Sequence, residues 1–142
     1  MNNILEEKTI VDVILPNFNK EEFLEESINS VISQTFKKWR MYIIDDNSTD
    51  NSLEIINKFS NLKNITIIKL KKNKGPSFCR NFAMRLSKSK YISFIDSDDC
   101  WSEDKLKNQI SFMEKNKYNF TYTDYTPFFQ HEGKKIIKKK HY

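Results

Sequence analysis

The chain is poor in the residues that staple or anchor a fold. Its two cysteines, Cys79 and Cys100, stand 21 positions apart, with no CxxC pair and no histidine pair at ligand spacing. That excludes a disulfide framework and a zinc finger and leaves two reduced thiols as the reading. No apolar run approaches the roughly 18 residues that a membrane span needs. The start, MNNILEEKTI, carries neither a basic leader nor an apolar stretch before a small-residue cleavage site, so no secretion signal is read and a cytoplasmic location is expected. Internal repeats and an interdomain linker are missing too, and 142 residues suffice for one domain with its own core.

An excess of charge is also less than it looks. The net charge is +5, but five of the 24 basic residues (Lys134, Lys135, Lys138, Lys139, Lys140) follow Gly133 with no acid among them, and the other 19 balance the 19 acids. The body is neutral, so a specific nucleic-acid partner is not indicated. The lysine tail reads as a solvated end, as a source of nonspecific salt-sensitive affinity, or as a peripheral contact with anionic lipid at the inner face of a membrane.

What is present is a regular alternation. IVDVIL (residues 10–15) is almost continuously apolar and ends at Pro16, which predicts a strand buried on both faces. Asn19 with Glu22 gives a cap-box-like start to a helix bearing Leu24, Ile28, Val31 and Ile32. RMYIID is a second strand, Leu53, Ile56 and Phe59 mark a short second helix, and NITIIK is a third strand. Pro76 opens a third helix running to about Leu86, and YISFID is a fourth strand. Ser102 is placed to cap a fourth helix, and the aromatic, β-branched YNFTYTDY reads as a fifth strand. FFQHEGKKII suggests a hairpin around Glu132 and Gly133. The organisation read is an extension at 1–9, a domain at 10–126 and a hairpin with basic tail at 127–142. The βαβαβαβαβ order predicts an α/β fold, a mostly parallel sheet with helices on both faces and ligands beyond the carboxyl ends of its strands.

Those ends are where the polar residues collect: Pro16, Asn17, Phe18 and Asn19 after the first strand, Asp45 and Asp46 after the second, Asp96, Ser97, Asp98 and Asp99 after the fourth. Carboxylates crowded together need a compensating charge, and Mn2+ or Mg2+ is suited to a few carboxylate oxygens completed by substrate phosphates. Equally, an acidic cluster can cap the next helix, where Glu103 and Asp104 follow Ser102. Lys74, Gly75 and Arg80 gather positive charge and a helix start, a setting that suits phosphate. Phe18 is either core or a stacking face for a base, and Asp46 accepts either a ring N–H or the turn behind it.

In their order and spacing, VDVILPNFN, SVISQTF, YIIDDNSTDNS, NKGPSFCRN and YISFIDSDDCW resemble the nucleotide-sugar-binding half of family 2 glycosyltransferases of the GT-A (Rossmann-like) fold, over about residues 11–125. The resemblance implies an inverting, metal-dependent transferase that passes a sugar from a UDP-sugar donor to a glycan or lipid-linked acceptor in surface polysaccharide or glycoconjugate synthesis. It implies that Pro16 and Phe18 line the uracil, with Phe18 where a tyrosine is usual, and that Asp46 pairs with the base. Arg80, preceded by Lys74 and Gly75, would hold the nucleotide. Asp96 and Asp98 match the family's DxD motif, the first toward ribose and the second toward the metal, with Asp99 assisting. The general base of the family lies further along the chain than Tyr142, so the chain is read as truncated before the acceptor-binding half, with Asp124 a poor substitute. A non-catalytic nucleotide-binding module is the alternative. An aspartyl phosphotransferase fits less well, because its nucleophile would stand on the first strand, which here ends in PNFN.

Overall fold

The computed structural model describes residues 9–131 and 134–137. The elements run β1 (Val11–Asn17), α1 (Glu21–Ile32), β2 (Trp39–Asp45), α2 (Ser52–Asn57), β3 (Ile65–Lys69), α3 (Pro76–Leu86), β4 (Tyr91–Phe94), α4 (Lys105–Asn116), β5 (Phe128–His131) and β6 (Lys134–Ile137). Contacts cluster into two units, Met1–Lys107 and Asn108–Tyr142.

In the first unit the four parallel strands lie in the order β3-β2-β1-β4. The central pair is buried almost throughout, whereas the edge strands β3 and β4 are only partly buried, β4 in strict alternation. Central strands covered on both faces have no polar side to show, which is why IVDVIL and RMYIID read as continuous apolar runs. The one charge inside β1, Asp12, is fully buried. Its carboxylate accepts both Nε and Nη2 of Arg40 at 3.1 Å, Ser87 Oγ at 2.7 Å, and the backbone N–H groups of Lys88 and Ser89. Burial pushes its acidity down, but the Arg40 and Ser87 bonds outweigh that and hold the carboxyl below its usual range.

The chain leaves β1 toward β2 and β3, then returns across β1 to β4. With right-handed crossovers, this reversal of direction puts α3 on the opposite face from α1 and α2. Cys79 and Ala83 of α3 close over Ile14, Tyr42 and Ile44 to form one side of the core. On α1 the buried row Leu24, Ile28 and Val31 is the predicted stripe, each such side chain contributing about 1.5–3 kcal/mol by leaving water.

Several local expectations change. β1 does not stop at Pro16 but runs through it to Asn17. Asn17 O accepts Asp46 N on the β2 side, so the alternation of backbone groups turns Pro16 N toward β4. The last bond on that side is Ile95 N to Ile14 O, so proline's missing donor costs no ladder bond. Asn19 is not a helix cap: it sits at φ 51°, in the left-handed region that asparagine tolerates, and α1 begins two residues later. Ser102 does not cap α4 either. The helix starts at Lys105, and the Ser102 carbonyl accepts Lys105 N and the Gln34 amide.

In the second unit, the predicted fifth strand is absent: residues 118–127 form no strand, and Phe120, Tyr122 and Tyr125 are 79%, 84% and 76% exposed. β propensity is the ability to pack on a neighbouring strand, and no described strand pairs with this segment. β5 and β6 form an antiparallel pair flanking positions 132 and 133, which lie outside the described residues, as do Lys138, Lys139 and Lys140. No helix among the described residues is long and apolar enough to cross a membrane.

Candidate functional site

A cavity of about 400 Å³ opens at the carboxyl ends of β1 and β4, where the strand order reverses. That is the place where open parallel sheets bind ligands, and the volume lies within the range of small-molecule sites. Pro16, Asn17 and Phe18 line it from β1, Asp46 from the end of β2, Gly75, Pro76, Cys79 and Arg80 from the start of α3, and Asp96, Ser97 and Asp98 from the turn after β4.

One wall is built from buried backbone bonds. The Asp46 carboxylate, 2% exposed, accepts Lys74 N on one oxygen and Gly75 N on the other, each at 2.7 Å. Gly75 stands at φ 85° just ahead of α3, a conformation that side-chain-bearing residues rarely adopt, although a Cβ there would meet nothing within 4 Å. The glycine is needed for its backbone angle and not for space. Burial, and then the Asp46 charge, push the Cys79 thiol up to about 11, so this cysteine is an inert part of the floor. Asn17 Nδ2 donates to Asp45 Oδ1 at 3.0 Å and Ser48 Oγ at 3.1 Å, which turns Asp45 into its own turn and away from the cavity. Phe18 remains 44% exposed at the rim.

The opposite wall is built from charges. Asp96 is paired with Arg80, and Asp98 Oδ2 lies 2.7 Å from Lys20 Nζ. The turn that carries them is closed by Asp99 N to Asp96 O at 3.0 Å. It is strapped to α1 by Ser27 Oγ, which donates to Asp96 O at 3.1 Å. Further along, the fully buried Gln34 donates to Ser102 O at 2.7 Å and accepts Leu106 N at 2.9 Å. Partial burial, and next the charges of Asp96 and Asp98, raise the Asp99 carboxyl above its ordinary value. Behind the turn, Lys105 Nζ lies 3.6 Å from the centroid of the Trp101 ring and donates to Ser93 Oγ at 2.9 Å, and burial lowers its amine to about 8.

The cavity therefore brings together Pro16, Asn17, Phe18, Asp46, Gly75, Arg80, Asp96, Ser97 and Asp98. Three other candidates are not part of its lining. Asn19 is tied to Thr49, Lys74 contributes its backbone N–H to Asp46, and Asp99 closes the turn through its N–H to Asp96 O. Asp124 belongs to the second unit, where its carboxylate accepts Tyr125 N. Reading the sequence overlooked Lys20, Asn73, Pro76 and Cys79 in the lining, and the straps Ser27 and Gln34. Only Gln34 had left a signal: a polar residue three positions after Val31, continuing the apolar row of α1.

Among the described residues no three His, Cys, Asp or Glu side chains form a ready cation cage. The donor set does fit half of a magnesium or manganese site. Asp96 and Asp98 are partly exposed on one turn and already attract cationic side chains, and such ions take one or two carboxylates and complete their shell with phosphate oxygens and water.

The family profile of glycosyl transferase family 2 matches residues 12–141. This chain belongs to glycosyl transferase family 2. The UDP-Glc:alpha-D-GlcNAc-diphosphoundecaprenol beta-1,3-glucosyltransferase WfaP of Escherichia coli is 41% identical over 118 residues, 82% of this chain and 46% of that one. The structure of Staphylococcus aureus TarS residues 1–349 in complex with UDP superposes with a TM-score of 0.71 at 32% identity, covering 76% of this chain and 33% of that one. The same TarS fragment has been solved with UDP-GlcNAc. The mannosyltransferase PcManGT of Pyrobaculum calidifontis, solved with GDP-Man and Mn2+, shares the fold alone, at a TM-score of 0.69 and 21% identity over 76% of this chain and 33% of that one. The chain spans about half the length, or less, of the curated relatives it matches. The sheet and its helices are thus the first portion of a GT-A domain of this family.

Proposed function

We propose that this chain is the donor-binding portion of an inverting glycosyltransferase. It takes a UDP-sugar and serves the building of a surface polysaccharide or glycoconjugate on a glycan or lipid-linked acceptor. The observation that carries the reading is the cavity at the strand-order reversal, with an aromatic rim and a buried carboxylate on one side and a basic and acidic cluster on the other. The UDP complex of a 32% identical relative and the lipid-linked substrate in the name of another support it.

In this reading Phe18 and Pro16 present flat apolar surface to the uracil. Asp46, with a lone pair left on each oxygen beyond the two backbone bonds, accepts the ring N–H. Arg80 offers a planar fork of donors to the diphosphate, and Asp96 and Ser97 face the ribose. Asp98, with Asp96, would hold Mn2+ or Mg2+, which supplies Lewis-acid stabilisation of charge on the departing diphosphate. The protein works at the cytoplasmic face of the membrane, where a lipid-linked acceptor presents its head group and the lysine tail meets anionic lipid.

A specific observation favours a second reading, a nucleotide-binding module without transfer. Each carboxylate in the cavity lining is engaged: Asp46 by two backbone N–H groups, Asp96 by Arg80, Asp98 by Lys20. None stands free as a base for an acceptor hydroxyl. Calorimetry with UDP and Mn2+ tests the binding reading, which fails if UDP binds no better than CDP or GDP. UDP release from UDP-glucose or UDP-GlcNAc in the presence of polyprenyl-diphosphate-linked sugars separates transferase from module.

A further inference from the structure

Lys20 is the charged residue among the lining positions that the sequence reading overlooked. Its backbone is fixed at the head of α1. Lys20 N donates to Ser52 Oγ at 3.3 Å, and Lys20 O accepts Phe23 N and Leu24 N at 3.0 Å each. Its side chain, by contrast, crosses part of the cavity lining to Asp98, 78 residues away, in an ion pair whose two members are 42% and 41% exposed. Pairs that open to solvent are weak, and a lysine is a compact point charge on a flexible stem that gives up one anion for another at little cost. Arg80 differs from it, with less of its side chain exposed, at 31%.

A lysine ammonium and a divalent ion on one carboxylate repel each other at ligand distances. A cation arriving at the acidic turn therefore competes with Lys20 Nζ for Asp98, and a displaced ammonium remains tethered in the same cavity. There the arriving ligand brings negative charge. We propose that Lys20 is a cation stand-in: its ammonium holds Asp98 in place while the site is empty. It then passes to a diphosphate oxygen of the nucleotide when a divalent ion takes over the carboxylate. The exchange forms and breaks only ion pairs, and the charge on the turn is balanced before and after it. This inference rests on the donor-binding reading given above and adds to it a positioning residue and the order of events at the turn.

The test uses the 142-residue chain, with free Mn2+ followed by electron paramagnetic resonance and UDP by calorimetry. Lys20→Met keeps most of the stem and removes the charge. Lys72→Met, which removes one charge from the exposed loop before α3, is the control for charge alone. Lys20→Met is expected to bind Mn2+ alone about three- to tenfold more tightly than the parent, and to bind UDP at saturating Mn2+ at least fivefold more weakly. Lys72→Met should change neither by more than about twofold. Equal Mn2+ affinity in Lys20→Met and parent overturns the competition, and an unchanged UDP affinity overturns the transfer to the diphosphate. An Asp98→Asn chain, folded by circular dichroism, reports separately on the underlying reading. Should it bind Mn2+ and UDP as the parent does, the acidic turn is not the ion site and the donor-binding reading falls. A parent that binds neither ion nor UDP sinks both.

Discussion

The two walls of the cavity are made by opposite means. On the β2 side, Asp46 is buried and gripped by two backbone N–H groups, and the glycine that permits this geometry can hardly be replaced. On the β4 side, Asp96 and Asp98 are half exposed and held by side chains whose charges can be satisfied elsewhere. A rigid wall suits a flat base that must be recognised by shape and one ring proton. An exchangeable wall suits a ligand that arrives with its own charges and counter-ion. The contrast is one of dielectric as well as of geometry: the same attraction that is several-fold stronger inside the protein is screened at the rim.

The comparison can be broken by mutation, beginning with a benchmark from deeper in the sheet. Asp12→Ala leaves Arg40 without its buried partner and should cost about 3–5 kcal/mol in urea denaturation. The pH dependence of that contribution has a definite sign. The folded carboxyl titrates below its unfolded value of 3.8, so its stabilisation is complete above that value and is lost as the pH falls through the lower, folded one. The parent should therefore lose stability on acidification below about pH 4 more steeply than Asp12→Asn does. Equal slopes would contradict the assignment.

Next in size, Asp46→Ala should destabilise the fold by about 2–3 kcal/mol, because the Lys74 and Gly75 N–H groups lose their acceptor, and should abolish UDP binding in calorimetry. Phe18→Ala, at an exposed rim position, should leave the unfolding midpoint in place and weaken UDP by about 1–3 kcal/mol, the scale of a base stacked on an aromatic ring. The smallest effect on stability belongs to Asp98→Asn, within about 0.5 kcal/mol, since an exposed pair contributes little. Its loss should show instead in the Mn2+ dependence of UDP affinity. A large stability change there would mean that the two walls are built alike.

How far the sequence disclosed this arrangement follows the same division. The central strands were legible because burial on both faces leaves an unbroken apolar run, and the acidic turn because charge directly after such a run is conspicuous. Lys20, Ser27 and Gln34 were not legible as a group. Their roles come from partners 78, 69 and 68 residues away, and nothing local in KEEFLEESINSVISQ announces those partners. Tyr118 to Tyr125 misled in the opposite direction, since composition favours a strand and only a neighbour can make one. Asn19 misled because its side chain was spent on Thr49, across the mouth of the turn, and not on the helix that follows it.

The strand that runs on alone has a last consequence. β4 ends its pairing opposite Ile14, while β1 continues three residues further beside β2 only. The cleft exists because the sheet forks there. Pro16 is compatible with the fork: it has no hydrogen to donate across the gap, so a position where β1 and β4 have already parted leaves no backbone donor without a partner.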